Sequence, residues 1–159
     1  MRDRAQFDYE CIATYLLRCP HCGAVKKVAF STTPWSPSVV DFWSDGRTES
    51  DKWCEPAYTQ QCQQCGHFFT LPPGNTLQIE NTPCDAIGML PYQTLKQAVA
   101  ELAGEEIPEA RARLEAWWAY NALYKETKED DIPLEEKDFN RANMEWLLTT
   151  SPDIEGQTE

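Results

Sequence analysis

The sequence predicts an α+β fold: a small antiparallel β module followed by a three-helix C-terminal region. Three observations predict it. Residues 1–92 are rich in β-formers, proline and glycine. Two Cys-x-x-Cys-Gly turns interrupt short strand-like runs in that part. Beyond Pro91 the composition shifts, and residues 93–150 hold one glycine, Gly104, and two prolines, Pro108 and Pro133, within helical periodicity. The predicted organisation is therefore a β module at 1–92, three helices within 93–150 and a frayed tail at 151–159.

The β module starts with Tyr9–Arg18, a strand entering the first cysteine turn, and Lys26–Ser31 is the returning strand. Thr32–Ser50 reads as a long loop, with Trp35, Trp43, two prolines and the turn signal Ser44-Asp45-Gly46. Tyr58–Gln61 and His67–Leu71 flank the second cysteine turn. Pro72-Pro73-Gly74-Asn75 ends that hairpin, and Thr76–Glu80 is read as one further strand.

The first helix covers about Tyr92–Ala103, with Leu95, Val99 and Leu102 at helical spacing and Gly104 suited to its C-terminal end. The second starts at Pro108, which a first helical turn accepts, and runs to about Lys125. Its expected buried stripe is Leu114, Trp117, Trp118, Asn121 and Tyr124, with Asn121 a buried, hydrogen-bonded orienter. The third covers about Leu134–Thr149, with Phe139, Ala142, Trp146 and Leu147 on one face. Ser151-Pro152 stops it.

The strongest chemical signal is Cys19-Pro20-His21-Cys22-Gly23 paired with Cys62-Gln63-Gln64-Cys65-Gly66. A C-x-x-C turn places two sulfurs on one side of a tight loop. The following glycine accepts φ > 0 and lets backbone N–H groups point at the sulfurs. Four thiolates suit one tetrahedral Zn²⁺ at Zn–S distances of about 2.3 Å. Unmetallated reduced turns, redox-active pairs and bound iron are the alternatives. At these residues the chain resembles the zinc-ribbon, rubredoxin-like class over roughly residues 9–71. The resemblance implies that Cys19, Cys22, Cys62 and Cys65 hold one structural Zn²⁺. The 39 residues between the knuckles exceed what a minimal ribbon needs, so Trp35–Trp53 is an elaboration. Trp43–Gly46 and the later Trp-Trp-Ala-x-Asn helix also resemble uncharacterised bacterial ribbon-plus-helix proteins, a resemblance that carries architecture and no activity.

Each of the two histidines, His21 and His67, abuts a knuckle, but four cysteines already fill a site. Cys11, Cys54 and Cys84 complete a count of seven and read as small buried hydrophobes. An odd count without an apolar leader argues against a disulfide framework and for a cytoplasmic chain. No run is apolar and long enough for a membrane helix.

The net charge is −12 over 159 residues, and it is uneven. Residues 1–92 carry 7 basic and 10 acidic side chains, and residues 93–159 carry 7 and 16. Such a chain repels nucleic acid and anionic lipid, and attracts a basic protein partner. The acidic run around 126–138 and the adjacent Trp117-Trp118 are open to two readings: solvated surface with core packing, or a partner surface. The candidate partner-binding residues are Trp118, Tyr120, Glu126, Glu129, Asp130, Asp131, Glu135 and Glu136. Phosphate-binding, nucleophile-elbow and metalloprotease motifs are absent. The expected function is a non-enzymatic interaction module, with an immunity-type inhibitor of a basic bacterial effector or toxin as its candidate form. A nucleic-acid-associated protein using Arg18, Lys26 and Lys27 is the alternative. A small enzyme with an unrecognised carboxylate site is a further one.

Overall fold

The structure, a computed structural model, describes residues 12–31, 39–42, 48–50, 58–71, 76–80, 82, 84 and 88–150. It is an α+β fold of small antiparallel sheets followed by three helices. The strands are β1 (Ile12–Arg18), β2 (Val25–Ser31), β3 (Val39–Phe42), β4 (Thr48–Ser50), β5 (Thr59–Gln61), β6 (Phe68–Thr70) and β7 (Thr76–Ile79). The helices are α1 (Tyr92–Glu101), α2 (Glu106–Tyr124) and α3 (Leu134–Thr150), with a 3-10 turn at Glu129–Asp131. The described chain divides into two compact units. One contains β1–β4, the turn 61–67 and β7. The other contains residues 58–60 and 68–70 with the helices.

In the first unit, β1 is the central strand of the order β2-β1-β7. Its antiparallel register with β2 runs from Ile12↔Ser31 to Arg18↔Val25, so both strands end together at the first cysteine turn. Ala13, Leu17, Val28 and Ala29 are buried. Thr14 is buried as well, and its hydroxyl is satisfied twice: it donates to the Thr82 carbonyl at 3.2 Å and accepts the Thr82 N–H at 3.1 Å. That exchange fixes the chain just after β7.

The expected long loop at Thr32–Ser50 is corrected by the structure. It contains the antiparallel pair β3–β4, with a register irregularity between Val39 and Asp41. The physical reason lies in Val39-Val40-Asp41-Phe42, whose β-branched and aromatic residues favour extended backbone. The neighbouring prolines and turn residues obscured that short run. Trp35, Trp43, Trp53, Cys11, Cys54 and the tail after Thr150 lie outside the described residues.

In the second unit, α1 buries Tyr92, Leu95, Ala98 and Val99, and Leu102 follows them into the core. Gly104 turns the chain with φ +91°. Its N–H donates to Glu109 Oε2 at 2.8 Å, so a carboxylate in the first turns of α2 satisfies the end of the link from α1.

The buried stripe of α2 is also corrected. It consists of Glu109, Ala110, Ala112, Glu115, Ala116 and Ala119, while Leu114, Trp117, Trp118, Asn121 and Tyr124 are half-buried. Alanine lets neighbouring elements approach closely, so the large side chains flank the contact rather than fill it. On α3 the buried residues are Glu136 and Asn143. Ala142 is exposed, and Phe139, Trp146 and Leu147 are half-buried. The buried asparagine of the bundle is thus Asn143, not Asn121. Asn143 Nδ2 donates to the Arg113 carbonyl at 2.8 Å, and its Oδ1 accepts from Arg113 Nη1 at 3.2 Å. Arg113 also lies 4.7 Å from the Trp146 ring and pairs with Glu109 at 2.8 Å.

Tyr92 is the hub of the three helices. Its ring meets Tyr120, Tyr124 and Phe139 edge-on at centroid distances of 5.8, 6.4 and 6.2 Å. Its hydroxyl donates to Glu136 Oε2 at 2.6 Å. Glu136 is 4% exposed, and it also accepts from Gln93 at 3.2 Å and from Lys96 at 3.0 and 3.2 Å. Burial pushes its carboxyl up, but these three donors together hold it below the usual carboxylate range. Its stabilising contribution is therefore present above the ordinary carboxyl pKa and is lost as pH falls through the lowered native value. Glu136→Ala should cost roughly 2–3 kcal/mol at neutral pH, because it orphans Tyr92 and Lys96. Urea unfolding should show the gap from wild type narrowing as the solution is acidified to about pH 3.

Candidate metal centre

Each cysteine turn is built by the same local chemistry. In the first, Cys19 N–H donates to the Ala24 carbonyl at 2.8 Å and Gly23 N–H donates to the Cys19 carbonyl at 2.9 Å. In the second, Cys62 N–H donates to the His67 carbonyl at 2.9 Å and Gly66 N–H to the Cys62 carbonyl at 2.8 Å. Both glycines have φ +77°, the left-handed conformation that lets each turn close. A Cβ added to either would meet nothing within 4 Å, so the requirement is torsional and not a matter of space.

The two turns bring four sulfurs together across long sequence separations. Cys19 Sγ lies 3.7 Å from Cys65 Sγ, and Cys22 Sγ lies 3.6 Å from Cys62 Sγ. All four lie within 4.8 Å of one another. A tetrahedron of sulfurs at about 2.3 Å from a central ion has edges of roughly 3.8 Å, so the cluster has the dimensions of a tetrathiolate site. Cys19 and Cys62 are buried, Cys65 is half-buried and Cys22 is exposed. Each knuckle thus presents its first cysteine inward and its second outward.

The thiols are electrostatically unequal. The Cys65 N–H is the chief influence on the Cys62 sulfur. With a second N–H from Gln64, it outweighs desolvation and holds Cys62 down to about 6. Cys65 accepts the His67 N–H, but desolvation and the other three sulfurs push it up to about 12. Cys22 accepts the Ala24 N–H and is nevertheless raised, by desolvation and by Cys62. One thiol ionises easily, and its charge then opposes ionisation of its neighbours. A cation at the centre reverses that opposition, and binding it releases protons. The four cysteines are positioned to bind one metal ion, in an arrangement compatible with a zinc-ribbon-like site.

No other group of His, Cys, Asp and Glu among the described residues could hold a metal ion. The His21 and His67 rings stack on each other at 4.7 Å with a 27° interplanar angle. Cys84 is half-buried and is not part of the cluster.

The candidate partner residues separate into two groups. Glu126, Glu129, Asp130, Asp131 and Glu135 are exposed, and Trp118 and Tyr120 are half-buried. Tyr120 packs against Tyr124 at 4.9 Å. Glu136 is corrected: its carboxylate is consumed inside the helical unit by Tyr92, Gln93 and Lys96, and it is not surface. Sequence reasoning also missed the buried Glu109 and Glu115. The available signal was their spacing: Ala112, Glu115, Ala116 and Ala119 recur three and four residues apart on one helical face.

The chain matches no protein-family model, no curated protein and no solved structure.

Cys19→Ser and Cys65→Ser should each abolish stoichiometric metal uptake and destabilise the first unit, whereas Cys84→Ser should bind one equivalent as wild type does. Atomic-emission metal analysis of the purified variants, with a Co²⁺ titration followed in the visible range, checks this. Gly66→Ala should retain metal but cost about 1–2 kcal/mol, the price of left-handed backbone for an L-residue, read from chemical unfolding.

Proposed function

We propose that the chain is a non-enzymatic interaction module built on one structural Zn²⁺, and that its acidic helical unit engages a basic protein. Cys19, Cys22, Cys62 and Cys65 would hold the ion, which supplies charge neutralisation and a cross-link between two hairpin turns. Four protein sulfurs leave no coordination position for water or substrate, which supports a structural over a Lewis-acid role. Soft, all-sulfur donors support zinc.

The observation that carries the partner reading is the link between α2 and α3. Glu126, Glu129, Asp130, Asp131 and Glu135 are all exposed, and none forms an ion pair among the described residues. Lys128 is the one basic residue in the stretch 126–136. The half-buried Tyr120 and Tyr124 lie close enough to feel this charge: Glu129 acts on Tyr120, and Glu135 on Tyr124. Concentrated negative charge beside aromatic surface steers and holds a basic partner. The net charge of −12 and these exposed carboxylates favour an immunity-type inhibitor of a basic bacterial effector as the particular form.

The test is affinity capture from the native host with the tagged full chain, beside a variant carrying Glu126→Lys, Glu129→Lys, Asp130→Lys, Asp131→Lys and Glu135→Lys. The expected result is one stoichiometric basic protein, retained by the wild type, released by salt and lost in the variant. Capture of nothing, or equal capture by both chains, overturns the reading. Capture of nucleic acid instead would point to the exposed Arg18, Lys26 and Lys27 on β1 and β2.

A further inference from the structure

Glu115 occupies an unusual position for a carboxylate. It lies midway along α2, is 2% exposed and points one oxygen at β5, where Oε2 accepts the Thr59 N–H at 3.0 Å. The other oxygen, Oε1, is buried with no hydrogen-bond partner. Thr59 Oγ1 and Thr70 Oγ1 are in the same condition, on β5 and on β6, the strand that α2 packs against. The Thr59 hydroxyl faces the carboxyl, but outside hydrogen-bonding geometry. A buried carboxylate oxygen without a partner requires an explanation.

A proton on Glu115 supplies one. The neutral acid carries no buried charge. It still offers Oε2 to the Thr59 N–H. The charged group facing it is Arg111, one turn earlier on α2, whose guanidinium stacks 4.0 Å from the Tyr58 ring. The facing groups beyond α2 are Tyr58, just before β5, and Thr59 in it. Desolvation is the largest influence. It outweighs the Thr59 and Tyr58 donors and the attraction of Arg111, and pushes Glu115 up to about 7 from an ordinary 4.5.

We propose that Glu115 is a proton-operated latch: with a proton on its carboxyl it fastens β5, and through the β5–β6 pairing β6, to α2, and on ionising it loosens them. The folded state binds this proton more tightly than the unfolded chain. The latch is therefore fully set below about 4.5 and is released as pH rises through about 7. The strands it governs are those that enter and leave the second cysteine turn. The latch is independent of what the acidic surface binds.

The test compares wild type with Glu115→Gln as full chains, by urea unfolding between pH 5 and pH 9. Glutamine keeps an acceptor for the Thr59 N–H, carries its own donor and does not titrate. Taking the ratio of the two unfolding constants removes the titration of the thiols and of every other group that the two chains share. That ratio should change by about tenfold between pH 6 and pH 8.5, with wild type losing stability as pH rises. A ratio that stays flat overturns the latch. Should the glutamine chain fail to fold, the ¹³C carboxyl resonance of Glu115 in wild type decides. A midpoint near neutrality supports the latch, and a midpoint in the ordinary carboxylate range overturns it.

Discussion

Four thiols within 4.8 Å of one another form the constraint on which the first unit rests. The cluster joins residues that are 40 and 46 positions apart in the chain. Among the described residues of that unit, the large buried apolar side chains are Leu17, Val28 and Leu71, beside small residues. A module of that size rarely closes on hydrophobic burial alone. A metal ion held by all four cysteines would add its binding free energy to the folding of that unit. The matching hydrogen bonds of the two turns and their two left-handed glycines preorganise the sulfurs for that role.

The helical unit solves a different problem. Its core places three carboxylates out of water, and each is accommodated differently. Glu109 takes Arg113 and the Gly104 N–H. Glu136 gathers a phenol, an amide and an ammonium, enough donors to keep it charged. Glu115 meets one backbone N–H on the oxygen it presents and nothing on the other, so desolvation prevails. The number of donors aimed at Glu136 and at Glu115 sets how easily each ionises, and these two pKa values move in opposite directions for that reason.

Much of the architecture was legible because local signals agreed. The C-x-x-C-G turns, the β-rich first part and the helical spacing of Leu95, Val99 and Leu102 all recur in the structure. Two features were not legible. The β3–β4 pair is three to four residues per strand, too short for alternation to outweigh the turn residues around it. The buried face of α2 was the other, because close packing selects alanines there and leaves the large tryptophans at the flanks.

The sequence by itself determined the ligand chemistry, since cysteine spacing and the glycine after each pair are local properties of a turn. It also determined where helices replace strands, because periodicity and glycine and proline content are local too. Tertiary structure decided which polar groups are buried. Whether Glu136 is surface or core, whether Asn121 or Asn143 is the internal amide, and whether Glu115 can keep its charge all depend on donors brought from other elements. Those donors are tens of residues away in the chain, and only packing sets how many of them reach a given oxygen.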